Sequence, residues 1–387
     1  MPTLFRAAQV LDQKIDVRWS DTVVTEIGPA CSLAPLAGEA LVQGGMLTPP
    51  MAEPHVHLDA ALLGAKVPNL SGTLREGIAN WAALRPNLTT YDVLSRARQT
   101  LAMYRAWGCT RVRTHADTGS LLAVEALLSL RGEFPELQVV AFPQEGILRA
   151  PDRRSQWEAA VDMGCDAVGA IPHFERSTEE GWESVRLAFA LGRERGLSVD
   201  LHCDETDDPG SRNLEVACVE AQKGGVRHVI AGHCTAMHSY PDPYAAKICE
   251  LVAASGIQVV CNPLDNIVLQ GRYDGYPKRR GLTRADQLWS AGATVGIGHD
   301  SVMDPWYRLG TANLVDAAYM LVHAGHLTGE AEMKRVVRTL FTENHLAWGR
   351  VPSVSVGAKI LVHWPVSDEV ELLRLRPRPT VYEDRNP

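Results

Sequence analysis

Eight short apolar runs recur through the middle of the chain, mostly separated by helix-length spacers, and this repetition limits the fold more than any other feature. The first ends at His57, after the run Met46-Leu47-Thr48-Pro49-Pro50. The others cover residues 110–115, 138–143, 166–172, 197–202, 227–233, 257–262 and 294–300. Apolar strands alternating with helices imply a parallel sheet covered on both faces. The number eight favours closure into a (β/α)8 barrel. The alternative is an open doubly wound sheet, which would place ligands at a switch point and not around a ring. One spacer reads clearly as a helix: Thr89-Thr90-Tyr91-Asp92 is a capping-box-like start. Val93, Ala97, Leu101 and Tyr104 then follow at helical spacing until Gly108.

The two ends of the chain read differently. Residues 14–19, 22–28 and 358–365 alternate apolar and polar side chains between Gly and Pro punctuation, the pattern of a small antiparallel sheet. Residues 1–50 and 346–387 are therefore expected to form one small β-sandwich domain bracketing a barrel over residues 51–345.

Composition excludes several classes. A net charge of −8 leaves no electrostatic footprint for nucleic acid or an anionic membrane. No stretch of eighteen uncharged apolar residues occurs, and residues 1–17 lack a signal-peptide core, so a cytoplasmic location is expected. The eight cysteines are scattered singly, with no C-x-x-C pair, which argues against a disulfide framework or a zinc knuckle. No G-x-G-x-x-G follows a strand and there is no P-loop, so nothing supports a nucleotide cofactor.

In a barrel the chemistry lies at the C-terminal strand ends, and here those ends are polar. His55 and His57, at i and i+2 on an extended segment, point the same way and reach one common point; alone they are equally a pair of half-buried strand histidines. Gln144 follows the third strand, His202 and Glu205 the fifth, His233 ends the sixth, and Asp300-Ser301 follows the eighth. His55, His57, His202 and Asp300 supply three imidazoles and one carboxylate, a set that suits a divalent transition metal with a position left open for water. Glu205, three residues past His202, is placed to shuttle a proton, or is simply a loop acid. No lysine occurs between Lys66 and Lys223, so a binuclear site bridged by a carbamylated lysine on the fourth strand is excluded and a mononuclear one is expected.

This set resembles the amidohydrolase superfamily. Within it, the strings Phe142-Pro143-Gln144-Glu145-Gly146-Ile147, His202-Cys203-Asp204-Glu205, Asn262-Pro263-Leu264 and Asp304-Pro305-Trp306-Tyr307 resemble bacterial cytosine deaminases. The resemblance runs from about Glu53 to Asn313. It implies that His55, His57, His202 and Asp300 bind one metal ion, iron(II) or zinc, and that Asp300 takes a proton from the attacking water while His233 orients it. Gln144 would pair with the carbonyl and ring N–H of the base, and Glu205 would protonate the ring nitrogen. Trp306 would wall the pocket and Leu74 would touch the ring, although both also suit plain packing. His115, Asp117 and His173 are expected to orient the ligands.

One departure stands out. Cytosine deaminases usually carry a second aspartate after the metal-binding one, and here it is Ser301, so a roomier and less acidic pocket is expected. The implied reaction is metal-dependent hydrolytic deamination of cytosine or 5-methylcytosine. The alternatives are deamination of another cyclic amidine such as creatinine, hydrolysis of a cyclic amide, or a barrel that binds without catalysis. The implied partner is a small-molecule base, and barrels of this kind are expected to assemble as homo-oligomers. The zinc deaminase fold marked by P-C-x-x-C is excluded, because that signature is absent.

Overall fold

The structure is a computed structural model that describes residues 1–384; the last three positions of the expected C-terminal β segment lie outside the described residues. Five strands open the chain: β1 (Thr3–Val10), β2 (Gln13–Ser20), β3 (Val23–Pro29), β4 (Ala40–Gln43) and β5 (Met46–Thr48). Eight more follow: β6 (Met51–Val56), β7 (Cys109–Asp117), β8 (Leu137–Phe142), β9 (Ala167–Ala170), β10 (Ser198–Cys203), β11 (Val229–His233), β12 (Gln258–Cys261) and β13 (Thr294–Ile297). β14 (Ile360–Trp364) and β15 (Thr380–Glu383) close the chain.

Strands β6 to β13 pair in sequence order in one all-parallel sheet, separated by helical segments. All eight match the apolar runs read from the sequence. They are buried almost throughout, because helices cover the outer face and the lumen covers the inner one. The expected helix also forms, as Thr90–Ala106: the Thr89 side chain accepts from Asp92 N–H at 3.2 Å, and Gly108 sits at φ +79° just past its end. Only Gly tolerates that left-handed backbone freely, which is why the helix stops there.

The remaining strands form a separate sheet of seven in the order β15-β14-β5-β1-β2-β3, with β4 also on β1. It is mixed and not purely antiparallel, since β1 runs parallel to both β4 and β5. Alternation within single strands shows which side chains face inward but not which neighbour runs in which direction. Phe5, Val17, Trp19, Val24, Leu47 and Leu361 make its own small core. Among the described residues no helix is long and apolar enough to cross a membrane.

The barrel closes between β6 and β13 without a regular ladder. Val56 and Asp300 form a single parallel bridge, with Asp300 N–H donating to the His55 carbonyl at 2.9 Å. Below it, the gap is spanned by side chains. Asn344 donates from Nδ2 to the carbonyls of Ala52 and Ile297, each at 2.8 Å, and accepts from Ile297 N–H at 2.9 Å. Glu53 accepts from His55 N–H at 2.9 Å and from His299 N–H at 3.1 Å. Replacing Asn344 by Ala strands three buried backbone groups, each costing about 1 kcal/mol or more. Asn344→Ala should therefore lower unfolding stability by about 2–4 kcal/mol, read as a lower midpoint in denaturant with the secondary-structure signal unchanged at zero denaturant.

Candidate active site

Inward-facing positions alternate along the barrel strands: Glu53, His55 and His57 from β6 and just beyond it, Arg113 and His115 from β7, Gln138 and Phe142 from β8, and Asp200 and His202 from β10. The ring of Phe142 stacks on His202 with centroids 3.9 Å apart. His233 does not follow this alternation. Gly232 faces the lumen, where an added Cβ would lie 3.0 Å from the His55 ring, so the next residue of a regular strand would point away. His233 instead takes φ +66°, and its ring comes within 4.8 Å of His55 and 4.9 Å of His202. Asp300 holds the same unusual backbone, φ +66°. Such left-handed non-glycine residues cost about 1–3 kcal/mol each and cluster at functional sites.

The predicted side chains converge at the mouth of the barrel. His57 Nε2 lies 3.1 Å from His202 Nε2 and 3.5 Å from Asp300 Oδ1, and His55 Nε2 lies 3.7 Å from the same oxygen. Ligands at about 2.0–2.2 Å from one ion stand roughly 3–3.6 Å apart, so these spacings fit a shared cation. Both ring nitrogens of His55, and Nδ1 of His202, are buried without a hydrogen-bond partner among the described residues. Burial drives His55, His57 and His202 well below the usual histidine range, with the neighbouring imidazoles and Arg113 adding to the effect on His55. They are thus neutral, the form that ligates. Among the described residues, two groups place their ligand atoms within 4.8 Å of one another: His55, His115 and His202, and His55, His233 and Asp300.

His115 therefore stands closer to the cluster than an outer support. Its Nε2 lies 3.1 Å from Asp200 Oδ1, while Arg113 Nε holds Asp200 Oδ2 at 2.6 Å. Burial pushes the Asp200 carboxyl up, but His115 and Arg113 outweigh it and hold it below its usual value. His173 accepts from the Glu205 backbone N–H at 3.4 Å. Asp117 touches none of the candidate ligands. Its carboxyl takes Trp81 Nε1–H at 2.7 Å and Arg85 at 2.5 Å, which pins the helix Leu74–Leu84 over the barrel mouth.

Glu205 and Gln144 are both buried. Burial pushes Glu205 up to about 8. Its Oε1 lies 3.4 Å from both His233 Nδ1 and Asn266 Nδ2. Asn266 Nδ2 also lies 3.0 Å from His233 Nδ1, and Asn262 Nδ2 lies 3.4 Å from His233 Nε2. His233 Nε2 faces Asp300 Oδ2 at 3.9 Å. Burial, then Asp265 and Glu205, raise Asp300 well above the ordinary carboxylate range. Trp306 lies with its ring 5.4 Å from His57 and its Nε1 unpaired, and it packs with Ile78, Trp81 and Leu269; the partly buried Leu74 rests on the same cluster.

The surroundings of Ser301 include an acid that the sequence reading did not single out. Ser301 Oγ lies 2.5 Å from Asp265 Oδ2, on the short helix that follows β12. A serine replaces a carboxyl at position 301, and a second carboxyl from elsewhere stands against it. Asp265 and Asn266 went unnoticed in the sequence, although they directly follow the string Asn262-Pro263-Leu264, because only the turn of that helix brings them to the site.

The amidohydrolase family profile matches residues 66–336. The solved 5-methylcytosine deaminase of Klebsiella pneumoniae, liganded with phosphonocytosine, is 35% identical, covers 100% of this chain and 99% of its own, and superposes with a TM-score of 0.92. A pterin deaminase of Rhizobium rhizogenes is 28% identical over 84% of this chain and 76% of its own length. An N-isopropylammelide isopropylaminohydrolase of Burkholderia multivorans shares the fold, with a TM-score of 0.78 at 22% identity over 98% of this chain and 95% of its own. The chain belongs to the amidohydrolase family and is a metal-dependent aminohydrolase.

Proposed function

We propose that this enzyme hydrolytically deaminates a free pyrimidine base, cytosine or 5-methylcytosine, to uracil or thymine and ammonia. The observation that carries the reading is Glu205, a buried acid beside His233 whose proton burial retains to about pH 8. Attack at the amino-bearing carbon requires the adjacent ring nitrogen to gain a proton, and a neutral carboxylic acid at physiological pH is suited to give it. The full-length likeness to a 5-methylcytosine deaminase supports the same substrate. So does the enclosure of the site, where His55, His57, Gln144, His202, Glu205, His233 and Asp300 are each less than a tenth exposed, which suits a single small ring. The likeness to a pterin deaminase makes a fused amino-ring the competing substrate.

In this reading His55, His57, His202 and Asp300 hold one divalent ion, iron(II) or zinc, with His115 packed behind them. Bound there, the ion would supply an activated water near neutral pH. Asp300 accepts the proton that the attacking water gives up, and His233, held beside Asn266, hydrogen-bonds that water. Glu205 delivers a proton to the ring nitrogen; as a carboxylate it then takes the remaining proton of the added hydroxyl and passes it to the amine, which departs as ammonia while the carbonyl forms. Gln144 offers its amide to the matching amide edge of the base. Trp306 and Leu74 bound the ring's faces, and Ser301, smaller than aspartate, leaves room for a methyl at C5.

Ammonia release from cytosine, 5-methylcytosine, creatinine and pterin, with protein loaded separately with iron(II) and zinc, tests the substrate. Turnover of 5-methylcytosine at or above the rate for cytosine is expected; inactivity on both pyrimidines overturns the reading. Glu205→Gln should lower kcat by at least about 10³-fold, with metal content intact. Because Glu205 must be protonated to act, kcat/KM should fall as pH rises through about 8. Gly232→Ala drives a methyl against the His55 ring; bound metal per chain, measured by elemental analysis, should drop well below one.

A further inference from the structure

Asp265 is a buried acid at the site that the chemistry above leaves unused. It lies on the helix Pro263–Leu269 and is 1% exposed. Its Oδ2 is engaged by the Ser301 hydroxyl at 2.5 Å, whereas its Oδ1 is buried with no hydrogen-bond partner among the described residues. Asn266, the next residue, touches both Glu205 and His233, so this turn of helix faces the reacting centre. The charge of Glu205 is felt at Asp265, and those of Asp265 and Glu205 are felt at Asp300. Asp304, the other acid beside Ser301, has a structural task, since its Oδ1 accepts the N–H groups of Trp306 and Tyr307 at 2.9 and 3.0 Å. Asp265 is instead held by Ser301, through its hydroxyl and its backbone N–H.

A buried acceptor without a donor is costly and seldom kept unless something supplies the donor. The positions of the other groups narrow what that is. Gln144 lies on β8's side and takes the amide edge, and Glu205 takes the ring nitrogen. Asp265 stands against Ser301, immediately after the candidate ligand Asp300, where the attacked carbon and its amino substituent must lie. We propose that Asp265 is a substrate-binding residue whose Oδ1 accepts a hydrogen bond from the amino group that leaves as ammonia. Burial, then Asp304, push the Asp265 carboxyl well above the usual range. With a proton on Oδ2, shared with Ser301, Oδ1 remains an acceptor. This contact selects amino-bearing rings over the same rings without the amine, because only the former satisfies the oxygen. The inference rests on the deaminase reading but not on which amino-ring is the substrate.

The test compares Asp265→Leu and Asp265→Asn with the unmodified metal-loaded enzyme, using cytosine as substrate and pyrimidin-2-one, the same ring without the amine, as competitive inhibitor. Asp265→Leu should lower kcat/KM for cytosine at least 30-fold while the inhibition constant of pyrimidin-2-one moves less than threefold. Asn keeps a carbonyl acceptor and a donor for Ser301, so Asp265→Asn should recover at least tenfold of that loss. Equal losses for substrate and inhibitor, or a loss in the Asn variant as deep as in Leu, would overturn the proposal, as would no loss at all. Should Asp265→Leu fail to fold, Asp265→Ala takes its place with the same expected split. Failure of the pyrimidine reading shows separately, as inactivity of the unmodified enzyme on both pyrimidines. The variants are then read on whichever of pterin or creatinine the enzyme deaminates, against that ring's deamino counterpart.

Discussion

A backbone hydrogen bond from Asp300 N–H to the His55 carbonyl joins the end of the last barrel strand to the first, followed along the seam by Leu62 N–H to Val302 and Gly64 N–H to Met303. Everything at the site depends on it. His55 and His57 enter from the start of the barrel and Asp300 from its end, some 245 residues apart in the chain, and closure alone brings their side chains within 4 Å. The seam is not a ladder of paired strands. Asn344 and the buried Glu53 carry it below the bridge, reaching backbone groups that a regular strand pair would have satisfied. Gly298 lies in this seam, and a Cβ there would come within 3.0 Å of His55 Cβ and closer still to Asn262.

The site is built by withholding water. Burial makes the histidines neutral and keeps acids such as Glu205 and Glu53 protonated up to about pH 8. Both effects follow from the cost of charge in a poorly solvated interior. Neutral imidazoles suit a cation, and a neutral carboxylic acid suits proton delivery; one environment therefore prepares both functions. The deeper layer behaves differently. Asp200 stays ionised because Arg113 and His115 lie directly against it, so the pair anchors His115 beneath the cluster.

The strands were legible because each is covered on both faces and must therefore be apolar along its length. His55 and His57 were legible because strand geometry repeats every two residues. His233 was legible as a polar strand end, but the left-handed backbone that turns it inward was not, since nothing local demands it. Asp117 looked like an orienting residue from its place after β7. It serves the overlying helix, because Trp81 and Arg85, supplied from a different segment, reach it first. Position 301 looked like a lost carboxyl, yet the structure places Asp265 against it.

By itself the sequence determined the number and order of the barrel strands, the polar residues at their ends, and the absence of a lysine that could bridge two metals. These are local properties of burial, period and composition. Tertiary structure decided how the barrel closes, which way β1 runs against its neighbours, and which acids share the mouth with Glu205 and Asp300. Those depend on contacts between segments far apart in the chain, where the geometry of approach, and not the identity of neighbouring residues, sets the distance between charges.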